Sequence, residues 1–291
     1  MTVVVPRTSF RNHWDVAWNT FIMRLKTISR YKGSLLMDIL LPLFFATMPI
    51  LLGQAMAGSI EAASANFREN TGLTSANYVA FMIIGANVFA SVLASFWLLG
   101  FYIRREQQLG TLEPVFMTPA NRLSVFGGIV LYIQARTTFT FLAGYFLGCL
   151  LYSVNPIQEG FLAFILAYLI LMFGLIPIFG LSFIMGAVTL KVKQANSLFN
   201  TIQWFLGILM GTFIPITVLP VFIQMLALIF PGYYLNYTVQ ATLTGLDWFF
   251  GSLYLDVAVL FIFALICVSL GYRIFDRTES RSKRGEGIGQ F

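Results

Sequence analysis

Three ionisable side chains lie within or at the edge of long apolar segments, where a charge is costly unless it is paired or wetted. They are Asp38, Arg136 and Asp256. Residues of this kind could form an ion pair or line the path of a solute. The apolar segments contain no Ser/His pair, no paired aspartates and no His/Glu metal-ligand set. We therefore predict no catalytic residue and no metal site, and we disfavour an intramembrane enzyme.

The depth of Arg136 depends on where its apolar segment begins. If the segment starts at Leu123, Arg136 lies near the middle of the membrane and must be paired or in contact with water. If the segment is counted back from Tyr152, it starts near Tyr132 and Arg136 is interfacial. The surrounding polar run QARTTFT favours the interfacial position.

The composition requires a partly lipid environment for these segments. Of the 291 residues, 58% are hydrophobic and 10% are charged, and the mean hydropathy is +0.81. Soluble domains carry roughly 25% charged residues. We predict an all-α integral membrane protein with six transmembrane helices, an N-terminal amphipathic interfacial helix and a re-entrant helical pair between spans five and six. The two cysteines, Cys149 and Cys267, lie in apolar runs and form no disulfide framework.

The predicted transmembrane domain covers residues 34–272, between a cytoplasmic N-terminus at 1–33 and a charged tail at 273–291 that we expect to fray. A polar loop is predicted over 58–75. The six spans are predicted at 34–57, 77–103, a third segment that ends near Tyr152, 161–190, Ser197 to about Val218, and 252–272.

Residues 9–32 predict an amphipathic helix. The residues of its apolar face recur at steps of three and four, and they are Trp14, Trp18, Phe21, Leu25 and Ile28. Tryptophan and basic residues on one helix are typical of the lipid headgroup region. The alternative is a soluble amphipathic helix that packs against a protein partner.

The segment 216–250 predicts the re-entrant pair. Its apolar run from Leu219 to Phe230 is bounded by Pro220 and Pro231, and about a dozen residues cannot cross a core that needs roughly twenty. A full span here would also move the basic tail to the opposite side of the membrane.

The basic residues predict the topology. Of 18 Lys and Arg residues, 16 fall in the N-terminus, the 104–122 strip, the 191–196 loop and the tail, which share one side of a six-span protein. The positive-inside rule makes that side cytoplasmic. We therefore predict a multi-pass protein of the cell membrane with both termini in the cytoplasm. The net charge of +6 reflects this topology, and we predict no nucleic-acid partner.

The strip at 104–122, RREQQLGTLEPVFMTPANR, is charged and contains one glycine and two prolines. Gly110 permits a sharp turn, Thr111 can cap a helix with Glu113 in its first turn, and Thr118-Pro119 would end it. The spacing alone is equally compatible with a short helix held across two spans and with a simple connecting loop.

This strip resembles the cytoplasmic loop of the ABC-2 family of ABC-transporter membrane subunits. The residues that match the family pattern, in order, are Glu106, Gly110, Thr111, Leu112, Glu113, Thr118 and Pro119. The resemblance extends to the N-terminal interfacial helix, the six spans and the proline-flanked re-entrant pair. It implies that the strip, including Pro114, is a coupling helix that docks into a separate ATPase subunit.

The resemblance also implies the partners and the activity. We expect a permease subunit of an ATP-driven exporter of hydrophobic or amphipathic compounds, such as a drug, a lipid or a lipid-linked glycan. It would work with two copies of an ABC ATPase and with a second permease subunit, as a homodimer or a heterodimer. The chain has no GxxxxGK[ST] phosphate loop, so we expect ATP and Mg on the partner and no cofactor on this chain. The alternative is an ATP-independent secondary transporter or channel that uses Asp38, Arg136 or Asp256.

Overall fold

The computed structural model describes residues 10–71, 73, 77–102, 105–106, 122–189 and 195–285. Every regular element within these residues is helical, which confirms the predicted all-α class. A 3-10 turn (Ile216–Val218) lies between two of the α-helices. The α-helices are α1 (Phe10–Arg30), α2 (Lys32–Ala57), α3 (Ile60–Thr71), α4 (Tyr78–Gly100), α5 (Arg122–Leu151), α6 (Phe161–Thr189), α7 (Ala195–Leu209), α8 (Val221–Ile229), α9 (Pro231–Thr244) and α10 (Leu253–Gly285).

Five of these helices are long and apolar enough to cross a membrane. The qualifying segments are Lys32–Ala57, Tyr78–Gly100, Leu123–Leu151, Phe161–Thr189 and Leu253–Thr278. The shortest has 23 residues, whereas a hydrocarbon core about 30 Å thick needs about 20. Helix α4 is buried along most of its length and lies at the centre of the bundle, in contact with α2, α5, α6 and α9.

The predicted fifth span is shorter than expected. We predicted one helix from Ser197 to about Val218, but α7 ends at Leu209. Its 15 residues extend only about 22 Å. Gly211 adopts a positive φ of 64°, a conformation that a continuing helix does not allow, and Pro215 follows it. Six full spans are therefore not present among the described helices.

Two short helices, α8 and α9, occupy the segment for which we predicted a re-entrant pair. Each begins at a proline, Pro220 before α8 and Pro231 as the first residue of α9, where the missing N–H has no consequence. The 3-10 turn before α8 contacts α3, and Gly245 after α9 lies beside Glu159. The pair therefore begins and ends at the same end of the bundle.

Helix α9 is buried almost completely although it is rich in polar residues. Asn236, Thr238, Gln240, Thr242 and Thr244 are all buried. The Asn236 amide donates to the carbonyl of residue 210 (2.9 Å), and the Gln240 amide donates to the carbonyl of residue 81 in α4 (3.2 Å). These side chains attach α9 to the centre of the bundle through backbone carbonyls.

Two further expectations from the sequence were wrong. The segment 58–75, predicted as a loop, contains α3, whose start is capped by the Ser59 hydroxyl accepting from the N–H of Ala62 (3.0 Å). The tail, predicted to fray from residue 273, continues α10 to Gly285.

An aromatic cluster identifies one end of the bundle. The Phe126 ring at the start of α5 lies 5.9 Å from Tyr102 after α4, 5.2 Å from Phe183 near the end of α6, and 5.4 Å from Phe275 in α10. Helix α1 packs on α5 at the same end. We call this the basic end, because Arg24 lies over Tyr102, Arg105 lines a cavity together with Tyr102, and two further arginines flank Phe275 in the sequence.

Candidate functional site

An ion pair joins α1 to the chain that follows α4. Arg24 of α1 donates from Nη2 to Oε1 of Glu106 (2.5 Å), and the Glu106 side chain is 9% exposed. The same guanidinium lies over the ring of Tyr102, 5.3 Å from its centroid. Burial and then the Glu106 carboxylate raise the pKa of Tyr102, while Arg24 opposes part of this shift. This contact connects the first residues of the 104–122 strip to the N-terminal helix.

The other predicted residues of the strip lie outside the described part of the chain. They are Gly110, Thr111, Leu112, Glu113, Pro114, Thr118 and Pro119. Of the eight residues predicted to dock the ATPase, Glu106 is therefore the one that the structure describes. Sequence reasoning found Glu106 through the family resemblance, but it did not anticipate its burial or its pairing with Arg24.

Asp38 and Arg136 form a second ion pair. Arg136 donates from Nε (2.7 Å) and from Nη2 (2.5 Å) to the same carboxylate oxygen of Asp38. It also donates to the Tyr132 hydroxyl (3.2 Å) and to the Ser34 hydroxyl (3.3 Å). The guanidinium thus connects the start of α2 to the middle of α5, and the two charges neutralise each other.

The partners of Arg136 define its level in the bundle. Ser34 lies in the first turn of α2 and Asp38 about two turns into it, whereas Arg136 lies about four turns into α5. The first half of α5 runs beside α1 at the basic end, as the contact between His13 and Ser124 shows (3.1 Å). Arg136 is therefore level with the first turns of α2, and it lies near the middle of the apolar segment Leu123–Leu151. The depth of Arg136 in the membrane stays a prediction.

Asp256 lies at the opposite end and does not join the other two ionisable residues. Its side chain, at the start of α10, is buried and accepts from the backbone N–H groups of Phe249 (3.1 Å) and Phe250 (2.9 Å). These bonds hold the loop between α9 and α10. The three intramembrane candidates thus form one pair and one separate loop anchor.

The predicted interfacial face of α1 remains largely exposed. Trp14 and Trp18 stack with ring centroids 6.4 Å apart and are 54% and 47% exposed, and Leu25 is also exposed. Phe21 is partly buried, 5.1 Å from Trp18, whereas Ile28 is buried against the bundle. Four of the five predicted residues therefore reach the surface, and Ile28 contributes to packing instead.

A neighbouring side of α1, about a quarter turn from the tryptophans, packs tightly on α5. A Cβ atom at Gly128 of α5 would collide with the carbonyl of Ala17 and with Thr20 at 2.7 Å. Only a glycine permits so close an approach of the two backbones. Helix α1 is thus fixed to α5 by one side and presents tryptophans on the side next to it.

A cavity of about 430 Å³ lies between α1, the start of α2, the end of α4 and α5. Arg24, Arg105 and Arg136 all line it. Sequence reasoning missed this cavity, because its three arginines come from segments far apart in the chain. Among the described residues no group of three or more His, Cys, Asp or Glu side chains could hold a metal ion.

The sequence matches no protein-family model, and a search of curated proteins finds no match.

Proposed function

We propose that the chain is a membrane-spanning permease subunit of an ATP-driven ABC transporter. It would export hydrophobic or amphipathic compounds, such as a drug, a lipid or a lipid-linked glycan. Two copies of a separate ABC ATPase would bind ATP and Mg, and a second permease subunit would complete the path. Five long apolar helices and the resemblance of the 104–122 strip to the ABC-2 coupling loop support this proposal.

The observation that carries the proposal is the Arg24–Glu106 ion pair. Glu106 is the first matching residue of the strip, and Arg24 lies in the middle of α1. A strip that docks on an ATPase therefore has a direct, partly buried connection to α1 and, through α1, to α5. Movement of the ATPases would tilt α1 and α5 together as one packed unit.

In the proposed topology the protein lies in the plasma membrane, and both of its termini are in the cytoplasm. Helix α7, together with the turn after it, would serve as the shortened fifth span, and α8 and α9 would enter and leave the membrane from the outer side. The common end of the α8–α9 pair and the clustering of basic segments at the other end support this arrangement.

An ATP-independent transporter or channel is the second candidate, and the Asp38–Arg136 pair is the observation that favours it. An ion pair at the start of a span could open when a coupling ion or solute binds. Against this candidate, each of the two charges already has a close partner, and Asp256 accepts two backbone hydrogen bonds.

The test is ATP hydrolysis by the purified chain, alone and after co-expression with a candidate ABC ATPase. We expect co-purification, ATP hydrolysis by the pair, and loss of assembly with Glu113→Lys. The matched control is Glu61→Lys, an exposed acidic residue on α3 at the other end of the bundle, which should assemble normally. Transport by the reconstituted chain along an ion gradient, with no ATPase bound, would contradict the proposal and favour the second candidate.

The Arg24–Glu106 connection has its own test within the assembled complex. Because Glu106 is buried against Arg24, Glu106→Gln should weaken the link between ATP hydrolysis and transport more than it weakens assembly, since the neutral amide holds Arg24 less strongly. A charge exchange, Arg24→Glu with Glu106→Arg, should recover part of the coupling. Full coupling in Glu106→Gln would show that α1 moves independently of this pair.

A further inference from the structure

Two adjoining cavities at the basic end differ in their lining: polar groups line part of the larger cavity, whereas the smaller one has almost none. The larger, about 430 Å³, is within the size range of small-ligand pockets and is lined by three arginines and by Tyr31, Tyr102 and Tyr132. The smaller, about 250 Å³, is lined almost entirely by apolar surface, including Leu35 and Phe139. Ile28, Tyr132 and Arg136 line both cavities.

The described arginines that line the larger cavity, together with the carboxylates that pair with them, carry a net positive charge. Arg24 and Arg136 are each paired with one carboxylate, Glu106 and Asp38. Arg105 is exposed and has no carboxylate partner within the described residues. The sum of these five charges is therefore one positive charge, and guanidinium groups retain further N–H donors for a second acceptor.

The start of α2 adds a backbone donor to the same cavity. Gly33 of its first turn is a lining residue, and the residue before the helix provides no side-chain cap, whereas the N–H of Ser34 already donates to the carbonyl of Tyr31 (2.9 Å). N–H groups of a first helical turn favour an anion. The cavity therefore suits a phosphate-sized anion, whereas the adjoining groove suits a hydrocarbon chain.

We propose that the two cavities together bind one anionic phospholipid. Its phosphate would lie between Arg24, Arg105 and Arg136, and one acyl chain would follow the groove past Leu35 towards Phe139. The exposure of Phe139 (51%) leaves the groove open to the lipid side of the bundle. Anionic lipids concentrate at the cytoplasmic leaflet, where the basic end is proposed to lie. The site needs only a membrane, and it does not depend on the ATPase partner.

Photo-crosslinking of the full chain tests this proposal. The chain is reconstituted in phosphatidylcholine vesicles that contain a small fraction of phosphatidylglycerol with a diazirine on its acyl chain. Crosslinked peptides are mapped by mass spectrometry. We expect crosslinks near Leu25, Leu35 and Phe139, several-fold stronger than with the same diazirine on phosphatidylcholine. Equal labelling by the two lipids would overturn the role of the arginines.

The source of the phosphate is tested in the same assay with inorganic phosphate as competitor. Because the acyl chain contributes to binding, free phosphate should not displace the photoreactive lipid. Displacement by millimolar phosphate would show that the cavity binds a free anion, and would overturn the assignment of a lipid.

Two variants test the contribution of the lipid headgroup separately from that of the acyl chain. Arg105→Gln removes the unpaired charge without leaving a carboxylate unpaired, so labelling should fall about fivefold. Its control is Arg30→Gln, an exposed arginine on α1 that does not line the cavity. Ala135→Phe fills the groove and should abolish labelling near Phe139, whereas Ala55→Phe, at an exposed position of α2, should not. Normal labelling in Arg105→Gln or in Ala135→Phe would overturn the proposal.

Discussion

Removal of either charge from the Asp38–Arg136 pair should destabilise the protein, and removal of both should cost little more. In Arg136→Gln, Asp38 loses both guanidinium contacts, and Tyr132 and Ser34 lose their donor. In Asp38→Asn, the guanidinium keeps those two hydroxyl partners but lacks a counter-charge. In the double variant neither residue is charged, and the two amides can bond to each other.

The burial of the Asp38–Arg136 pair determines how much free energy of unfolding each variant should lose. The Arg136 and Asp38 side chains are 15% and 27% exposed, so the pair is intermediate between a surface pair and a buried one. Surface pairs contribute about 0–1 kcal/mol, and breaking a buried pair costs about 3–5 kcal/mol. We expect each single variant to lower the free energy of unfolding by about 2 kcal/mol, and the double variant to lower it by about 2–3 kcal/mol. The coupling free energy is then about 1–2 kcal/mol.

Thermal unfolding of the purified chain in detergent measures these free energies as shifts in Tm. At about 2–4 °C per kcal/mol, each single variant should lower Tm by roughly 4–8 °C. Asp15→Asn, an exposed carboxyl on α1, is the control and should change the free energy of unfolding by less than about 0.5 kcal/mol. Single-variant effects that add within about 0.5 kcal/mol would refute the interaction.

Three further outcomes follow from the packing. Gly128→Leu should detach α1 from α5 and cost at least about 1–3 kcal/mol in thermal unfolding, whereas Gly127→Leu, which has open space around it, should not. Asp256→Ala should cost about 1–3 kcal/mol by leaving two backbone N–H groups without their acceptor, and an unchanged Tm would contradict its role as a loop anchor. Cys149 and Cys267 are buried, so a maleimide should react with both only after denaturation, and rapid labelling of the native protein would contradict the packing.

The long spans could be predicted from the sequence because hydropathy alone determines them. The predictions 34–57 and 161–190 correspond to Lys32–Ala57 and Phe161–Thr189. A run of about twenty apolar residues has few alternatives to a transmembrane helix, because the bilayer core offers no partner for unpaired backbone groups.

The end of α7 could not be predicted in the same way. Apolar residues continue from Leu209 to Val218, so the hydropathy signal does not show that the helix stops. The local signals were Gly211 and Pro215, and both residues also occur inside transmembrane helices. The start of α3 could have been predicted more easily, because Ser59 followed by Glu61 is typical of a capped helix with an acidic first turn.

Neither ion pair could be predicted without knowledge of the fold. Asp38 and Arg136 could be singled out because a charge in an apolar segment is costly, but nothing in a separation of 98 residues shows that they meet. Arg24 and Glu106 are 82 residues apart, and no pattern in either segment indicates that the two side chains meet. The arginine-lined cavity depends on both ion pairs, so it could not be predicted from the sequence either.

The buried polar residues of α9 constrain how the protein is made. During synthesis α9 leaves the ribosome before α10, yet α9 has only 14 residues and carries Asn236 and Gln240, so it cannot partition into lipid alone. The carbonyls that its amides bind belong to residues 210 and 81, which are made earlier, whereas part of its apolar cover comes from α10, as the Tyr234–Phe263 ring contact shows. We therefore expect membrane integration to depart from chain order, with α9 taking its buried position only after α10 has inserted.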